Sequence, residues 1–265
     1  MSKYLNFSKL FSIVSTSLVA SSVLISSPAS AATFASSQGI FKFTDFSQIP
    51  TDVFADTNTN TVAIAKIGPV NADATADALF EAASLQASNS SLSSASGTGR
   101  DYLGLGESFA AIRGTFDLAE NTTFSFNFTG DLTLETSIDD PAAETAKASG
   151  NVFLGLFDVS TNSLLDFFNL TANLDTSNSS DFLNFDKSNQ ITISNPVYTL
   201  NTGEKKESAQ ASVKGSFQRT FTNKTNLALV EFKVNKATVS IPEPSNLIAV
   251  LFFGGVISVA RKRKR

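Results

Sequence analysis

Runs in which phenylalanine alternates with polar residues constrain the fold of this chain more than any other feature of its sequence. In residues 122–129 three phenylalanines occupy every second position: Phe124, Phe126 and Phe128. Successive side chains of a β-strand point to opposite faces, so this spacing gathers the rings on one face and the polar residues on the other. The pattern predicts a half-buried β-strand.

Other segments carry the same period and predict further strands. They are marked by Phe41 and Phe43, by Leu132 and Leu134, by Val152, Leu154 and Leu156, and by Ile191 and Ile193. Val213 and Phe217 flank a polar segment, and Leu227, Leu229 and Val234 fall in a final β-rich stretch. Around Val152 both alternating sets are apolar, which predicts a strand at the centre of a sheet. Gly130 and Asp131 precede Leu132 and predict a tight turn or a bulge.

The segments between these strands are rich in Ser, Asn, Asp, Gly and Pro, which is the composition of turns. Turns are predicted in residues 93–99, 139–141, 173–180 and 201–204. Many short strands without a sustained helical period predict an all-β fold, an antiparallel β-sandwich with jelly-roll-like or immunoglobulin-like topology. Residues 72–86 are rich in alanine, and for them a short helix and a strand are both open. No linker clearly divides the body, so one domain is expected.

The chain has no His, no Cys and no Trp. The absence of His and Cys excludes Ser-His-Asp and Cys-His catalysis, thiolate zinc sites and disulfides. Phenylalanine is abundant, with 24 residues against 3 Tyr. Because Phe lacks the polar group that Trp and Tyr bring to carbohydrate sites, the alternating Phe residues are predicted to form the core.

Charge is distributed unevenly along the chain. All 24 acidic residues lie between Asp45 and Glu243, whereas seven of the 20 basic residues lie in the two ends. The acidic body argues against nucleic acid or an anionic membrane surface as a partner, because both are polyanions.

The N-terminal segment has the organisation of a secretory signal peptide. Lys3 and Lys9 form a short positive region, and a largely apolar stretch follows. Ala29 and Ala31 then form a small-x-small cleavage site for signal peptidase. Residues 1–31 are therefore expected to be removed on export, and an anchoring N-terminal helix is the alternative.

The C-terminal segment combines three parts in a fixed order. A Pro-Glu-Pro motif comes first, residues 247–260 are almost continuously apolar, and five basic residues follow: Pro242, Glu243 and Pro244, then Arg261, Lys262, Arg263, Lys264 and Arg265. A helix over the apolar residues covers about 21 Å, which is short of a hydrocarbon core of about 30 Å. The basic end would stay in the cytoplasm. We expect a marginal, transient membrane anchor, with a permanent anchor and a buried terminal helix as alternatives.

This tail resembles the PEP-CTERM sorting signal of Gram-negative bacteria, over residues 241–265. The resemblance implies that an exosortase, a membrane transpeptidase, recognises the Pro-Glu-Pro motif and removes the tail, with the basic residues as the stop-transfer end. It also implies a final location at the cell surface or in exopolysaccharide. The chain would then comprise a signal peptide (1–31), a β-sandwich domain (32–240) and a sorting tail (241–265).

The body offers little recognisable chemistry. Asp56, Asn58 and Asn60 have the spacing that opens an oxygen-rich calcium loop, but the Gly and Glu that complete an EF-hand are missing. A calcium site of another kind and a solvated turn are both open there. Acidic pairs can hydrolyse glycosides without His, and the candidates by residue type are Glu107, Glu120, Glu135 and Glu144. Sequence spacing does not bring them together, so no catalytic, cofactor or metal site is assigned.

Together these features predict an exported, non-enzymatic protein of the cell surface or extracellular matrix, tethered at the inner membrane as a precursor and then associated with exopolysaccharide. A carbohydrate-binding or adhesive module is the alternative, and a secreted glycosidase-type hydrolase comes third. An exposed aromatic or carboxylate cluster on the folded body would favour the alternative.

Overall fold

The computed structural model describes residues 33–178 and 180–241, which form twelve β-strands. The strands are β1 (Thr33–Thr44), β2 (Asp52–Ile67), β3 (Val70–Glu81), β4 (Gln86–Gly97), β5 (Arg100–Leu118), β6 (Thr122–Ile138), β7 (Thr145–Asp158), β8 (Ser163–Asp175), β9 (Phe182–Lys187), β10 (Ile191–Asn201), β11 (Lys206–Phe221) and β12 (Thr225–Ile241). No helix occurs in these described ranges, and the all-β prediction is confirmed.

The strands form two six-stranded antiparallel sheets. Sheet I has the order β10-β11-β6-β1-β4-β3, and sheet II has the order β2-β5-β12-β7-β8-β9. The sheets lie face to face, with β1 and β4 of sheet I opposite β12 of sheet II. The sandwich-like architecture is therefore as predicted, and β7, which contains Val152, has a neighbour on each side as its two apolar faces require.

Alternation of side chains explains how most of the interior is filled. In β6 every second residue from Phe124 to Leu134 is buried, and the residues between are exposed or half-buried. The buried rings at one end of the sandwich form what we call the phenylalanine cluster: Phe41, Phe43, Phe46, Phe80, Phe116, Phe124, Phe126, Phe128, Phe168, Phe217 and Phe221. Within it Phe126 stacks on Phe217 at a centroid distance of 5.1 Å. Burying such rings is a large favourable term in folding.

A second, smaller apolar cluster fills the other end of the interior. Its buried members are Ala35, Ala95, Tyr102, Ile138, Ala146, Ala237 and Val239. Both clusters draw on β1, β4, β5, β6, β7 and β12, so these six strands run the length of the interior from one cluster to the other.

Residues 70–81 form strand β3, so the strand is the correct choice of the two that the sequence left open for residues 72–86. Two local predictions are wrong. Gly130 and Asp131 lie inside β6 with neither a turn nor a bulge, because both pair with β1 and with β11. Residues 93–97, expected in a turn, belong to β4. A strand paired on both sides satisfies its backbone hydrogen bonds whatever its side chains, so tertiary context overrides the turn propensity of Ser and Gly.

The predicted export segments lie outside the described residues. They include the cleavage residues Ala29 and Ala31, the motif Pro242, Glu243 and Pro244, and the basic end from Arg261 to Arg265. Within the described ranges, no helix is long and apolar enough to cross a membrane.

Candidate functional site

The four acidic residues selected from the sequence lie on separate parts of the body: Glu107, Glu120, Glu135 and Glu144. Glu107 accepts a hydrogen bond from Lys236 Nζ at 2.8 Å on the outer face of sheet II. Glu144 is buried and accepts two backbone N–H bonds, at 2.6 and 3.1 Å, from the turn that precedes β7. Glu120 and Glu135 are exposed. These four residues therefore do not form a facing pair of carboxyl groups.

The proposed calcium-type segment is part of a strand. Asp56, Asn58 and Asn60 lie in β2, an edge strand of sheet II, and are exposed. The prediction of a solvated turn there is wrong, because β2 pairs with β5 along this stretch. Among the described residues, no group of three or more His, Cys, Asp or Glu side chains is placed to hold a metal ion.

The feature that stands out is a band of polar side chains inside the sandwich. It crosses the interior between the two apolar clusters, and we call it the polar belt: Asn89, Ser91 and Ser93 of β4, Ser108 of β5, and Glu231, Lys233 and Asn235 of β12. The three β12 residues are all 0% exposed. Charged residues are almost never fully buried unless they are paired, so this band requires a physical account.

Three members of the belt form a closed set of contacts between the sheets. Lys233 Nζ donates to Glu231 Oε1 at 2.9 Å and also to Asn89 Oδ1. Asn89 Nδ2 in turn donates to Glu231 Oε2. The two oxygens of one carboxyl group thus contact the amine of Lys233 and the amide nitrogen of Asn89, while the amine contacts the amide oxygen.

Apolar side chains flank this triad on both sheets. Strand pairing places Ala110 and Val152 beside Lys233, and it places Phe41 beside Asn89. The Phe41 ring centroid is 5.8 Å from Lys233 Nζ. Water is therefore replaced by hydrocarbon around a group of three polar side chains.

Burial sets the protonation of the two ionisable members. It lowers the pKa of Lys233, although the neighbouring Glu231 carboxyl group acts in the opposite direction. It also raises the pKa of Glu231, and the interactions with Lys233 and Asn89 offset only part of that effect. Desolvation disfavours both charged forms, so the pair is shifted towards a neutral amine and a neutral carboxylic acid.

Two glycines make room for the belt. A methyl group on Gly39 of β1 would lie 2.7 Å from Lys233 Cδ, and one on Gly150 of β7 would lie 3.1 Å from Asn235 Oδ1. Side chains at these positions would occupy the space that Lys233 and Asn235 use. The Asn235 amide donates to Ser91 at 2.8 Å, which ties β12 to β4 a second time.

The outer face of sheet II carries an aromatic row. Phe153 and Phe232 pair directly across β7 and β12, with ring centroids 5.2 Å apart, and Phe109 of β5 lies 6.5 Å from Phe232. All three rings are half-buried, and Val234 beside them is 45% exposed. The prediction that Phe residues of the alternating runs form the core is therefore wrong for Phe153, because its strand is apolar on both faces.

Similarity to known proteins does not decide the function of this chain. No family model matches it, and no curated protein or solved structure shows significant similarity to it. A functional conclusion has to come from the residues of the chain itself.

Proposed function

We propose that the chain is an exported, non-enzymatic protein of the cell surface or extracellular matrix, processed by signal peptidase and by an exosortase-like enzyme. The observation that carries this proposal is the position of the described strands along the chain. Strand β1 begins at Thr33 and β12 ends at Ile241, so the twelve strands occupy the interval between the predicted cleavage site and the Pro-Glu-Pro motif. Cleavage on both sides would leave these twelve strands intact.

The position of the last strand supports the same proposal. Strand β12 lies between β5 and β7 inside sheet II, so the tail would extend from an internal strand of the sandwich rather than from a loose end. A pull on the tail would then act on a strand that is hydrogen-bonded along both edges. The signal helix, the short transmembrane helix, transient anchoring, the association with exopolysaccharide and the choice between jelly-roll-like and immunoglobulin-like topology stay predictions of the sequence.

The test is mass spectrometry of the protein recovered from membrane, surface and medium of the producing cells. We expect surface and medium species that begin at Ala32 and lack residues 247–265. A variant with Pro242→Ala and Glu243→Ala should stay in the membrane fraction with its tail, whereas Glu135→Ala, an exposed acidic residue of the body, should be processed normally. A surface species that retains the basic end would contradict the sorting proposal.

A carbohydrate-binding role is the second candidate, and the aromatic row on sheet II favours it. Flat rings bind the apolar faces of sugars, and neighbouring polar groups fix their orientation. Asn169 of β8 pairs directly with Phe153 of β7, and Asn151 Nδ2 donates to Asn169 Oδ1 at 3.1 Å. Amide groups therefore flank the row. Retention on polysaccharide columns, with and without calcium, tests this role. Phe232→Ala should abolish retention and Ile40→Ala, on the outer face of sheet I, should not.

A further inference from the structure

We propose that Lys233 and Asn89 become joined by an intramolecular amide bond between Lys233 Nζ and Asn89 Cγ, with Glu231 as the acid–base group that transfers the protons. The bond would link β12 of sheet II to β4 of sheet I through the middle of the sandwich. It goes beyond the proposed location of the protein, because it concerns a covalent modification that the body makes by itself.

The geometry supplies the three parts that such a reaction needs. The nucleophile is the Lys233 amine, which contacts the carboxamide oxygen of Asn89 and so lies next to the carbon it must attack. The leaving group is Nδ2 of Asn89. Glu231 contacts both nitrogens, with Oε1 at 2.9 Å from Lys233 Nζ and with Oε2 on Asn89 Nδ2. Holding reacting groups in contact in a fixed arrangement removes a large part of the entropic barrier.

The reaction balances without an oxidant or an added reagent. The lone pair of neutral Lys233 Nζ forms a bond to Asn89 Cγ, and the π electrons of the carbonyl move to Oδ1. Glu231 accepts a proton from Nζ through one oxygen and delivers a proton to Nδ2 through the other. The bond between Cγ and Nδ2 then breaks, the carbonyl re-forms, and ammonia leaves. The products are a secondary amide and ammonia, and Glu231 ends as it began.

The environment of the triad suits this chemistry. An amine is a nucleophile only when it is unprotonated, and desolvation of a lysine favours that form. All three side chains are at most 3% exposed, so bulk water does not compete with the amine for the carboxamide. Gly39 leaves the space in which the Lys233 stem lies. A simple structural ion pair would need neither the carboxamide in contact with the amine nor a carboxyl group that contacts both nitrogens.

The proposed bond connects residues that are 144 positions apart and belong to different sheets. Since β12 is the strand that leads to the C-terminal tail, a load applied there would pass through a covalent bond into sheet I. The bond would also survive when the hydrogen bonds of the sandwich are lost. A chain without cysteine has no disulfide with which to obtain such a cross-link.

Mass spectrometry of the purified, folded protein under denaturing conditions tests the proposal. Loss of ammonia lowers the intact mass by about 17 Da relative to the mass of the unmodified chain. Trypsin should then release residues 67–100 and 225–236 as one branched peptide, because an acylated Lys233 no longer directs cleavage. Asn89→Asp should give the same branched peptide with loss of water, about 18 Da, since the carboxyl group of Asp replaces the carboxamide.

Two matched variants test the role of Glu231. Glu231→Gln keeps the size of the side chain but cannot transfer the protons, so it should keep the full mass and release residues 225–233 as a free peptide. Glu107→Gln makes the same change on the outer face of sheet II and should leave the cross-link complete. A branched peptide from Glu231→Gln would overturn the assigned role. Free 225–233 from the folded natural protein, or a mass loss confined to Asn89 as a succinimide, would overturn the bond itself.

Discussion

Apolar side chains fill the two ends of the interior, whereas polar side chains fill the band between them. The phenylalanine cluster places large apolar side chains where the alternating pattern expects them, and rings from both sheets meet there. The polar belt places a lysine, a glutamic acid and two asparagines in an equally buried position. Burial of apolar rings stabilises the fold directly, whereas burial of charged groups is costly unless every group finds a partner. The belt therefore has to be explained by its contacts and by their chemistry.

Strand β12 shows how the polar residues come to be inside. Leu227 and Leu229 join the phenylalanine cluster, and Ala237 and Val239 join the smaller cluster. With both ends of the strand fixed in this way, the period of two carries the residues between them inward as well. The opposite set faces outward, including Val234. In the middle of the strand the polar residues Glu231, Lys233 and Asn235, which we call the charged set, lie inside. The apolar residues that alternate with them lie outside, which is the reverse of an ordinary half-buried strand.

The largest expected effect comes from removing the amine of the belt. Lys233→Ala leaves one oxygen of the buried Glu231 carboxyl group without its partner, and an unsatisfied buried polar group costs about 1–3 kcal/mol. If the amide bond forms, the variant also loses a cross-link across 144 residues, for which chain entropy gives about 5 kcal/mol. We expect the free energy of unfolding, measured in urea by circular dichroism, to fall by at least about 5 kcal/mol. A variant as stable as the natural protein would contradict this account of the belt.

Removal of a ring from the phenylalanine cluster should have a smaller effect and a different signature. Phe126 is 1% exposed and stacks on Phe217. Phe126→Ala should therefore cost about 3–5 kcal/mol through lost burial and a cavity. The folded variant should still show the mass loss of the cross-link, because the triad is untouched. Phe153→Ala on the outer face is the control and should cost clearly less. Loss of the cross-link in Phe126→Ala would mean that the two regions are not independent.

The smallest expected effect comes from the ion pair on the other face of the same strand. Lys236 and Glu107 are 2.8 Å apart, but their side chains are 43% and 37% exposed. Exposed pairs contribute about 0–1 kcal/mol, so Lys236→Met should change the free energy of unfolding by no more than about 1 kcal/mol. Lys233→Ala and Lys236→Met thus change two lysines of one strand, three residues apart. They are expected to give the largest and the smallest loss in the free energy of unfolding. Equal losses for both variants would remove the distinction between the belt and the surface.

Much of the fold could be predicted from the sequence because the hydrophobic period is strong where the core is aromatic. The alternating phenylalanines of β1 and β6 identified strands, faces and core members correctly. Predictions failed where strands are made of small residues. Strands β3 and β4 consist largely of Ala, Ser and Asp. They pair with each other as a hairpin, and the other edge of β4 pairs with β1, which is distant in sequence. Local propensity carries no information about such pairing.

The polar belt could not be predicted for a different reason. Glu231, Lys233 and Asn235 alternate with Val230, Phe232 and Val234, and either set would satisfy the period of two. Ordinary hydrophobic patterning places the apolar set inside. The signal that could have identified the belt is the position of the leucines at 227 and 229, which share a face with the charged set. Its partner Asn89 lies in a serine-rich strand and gives no signal in the sequence.

The most direct test of this account is the orientation of β12, because the belt exists only if the charged set faces inward. The chain has no cysteine, so single cysteines report accessibility without background. Val234→Cys, at a position 45% exposed, should react with a thiol reagent at the rate of a free thiol in the native protein. Asn235→Cys, at a position 0% exposed, should react only after denaturation. Rapid labelling at 235 with protection at 234 would contradict the account, since it would place the apolar set inside and Lys233 in solvent.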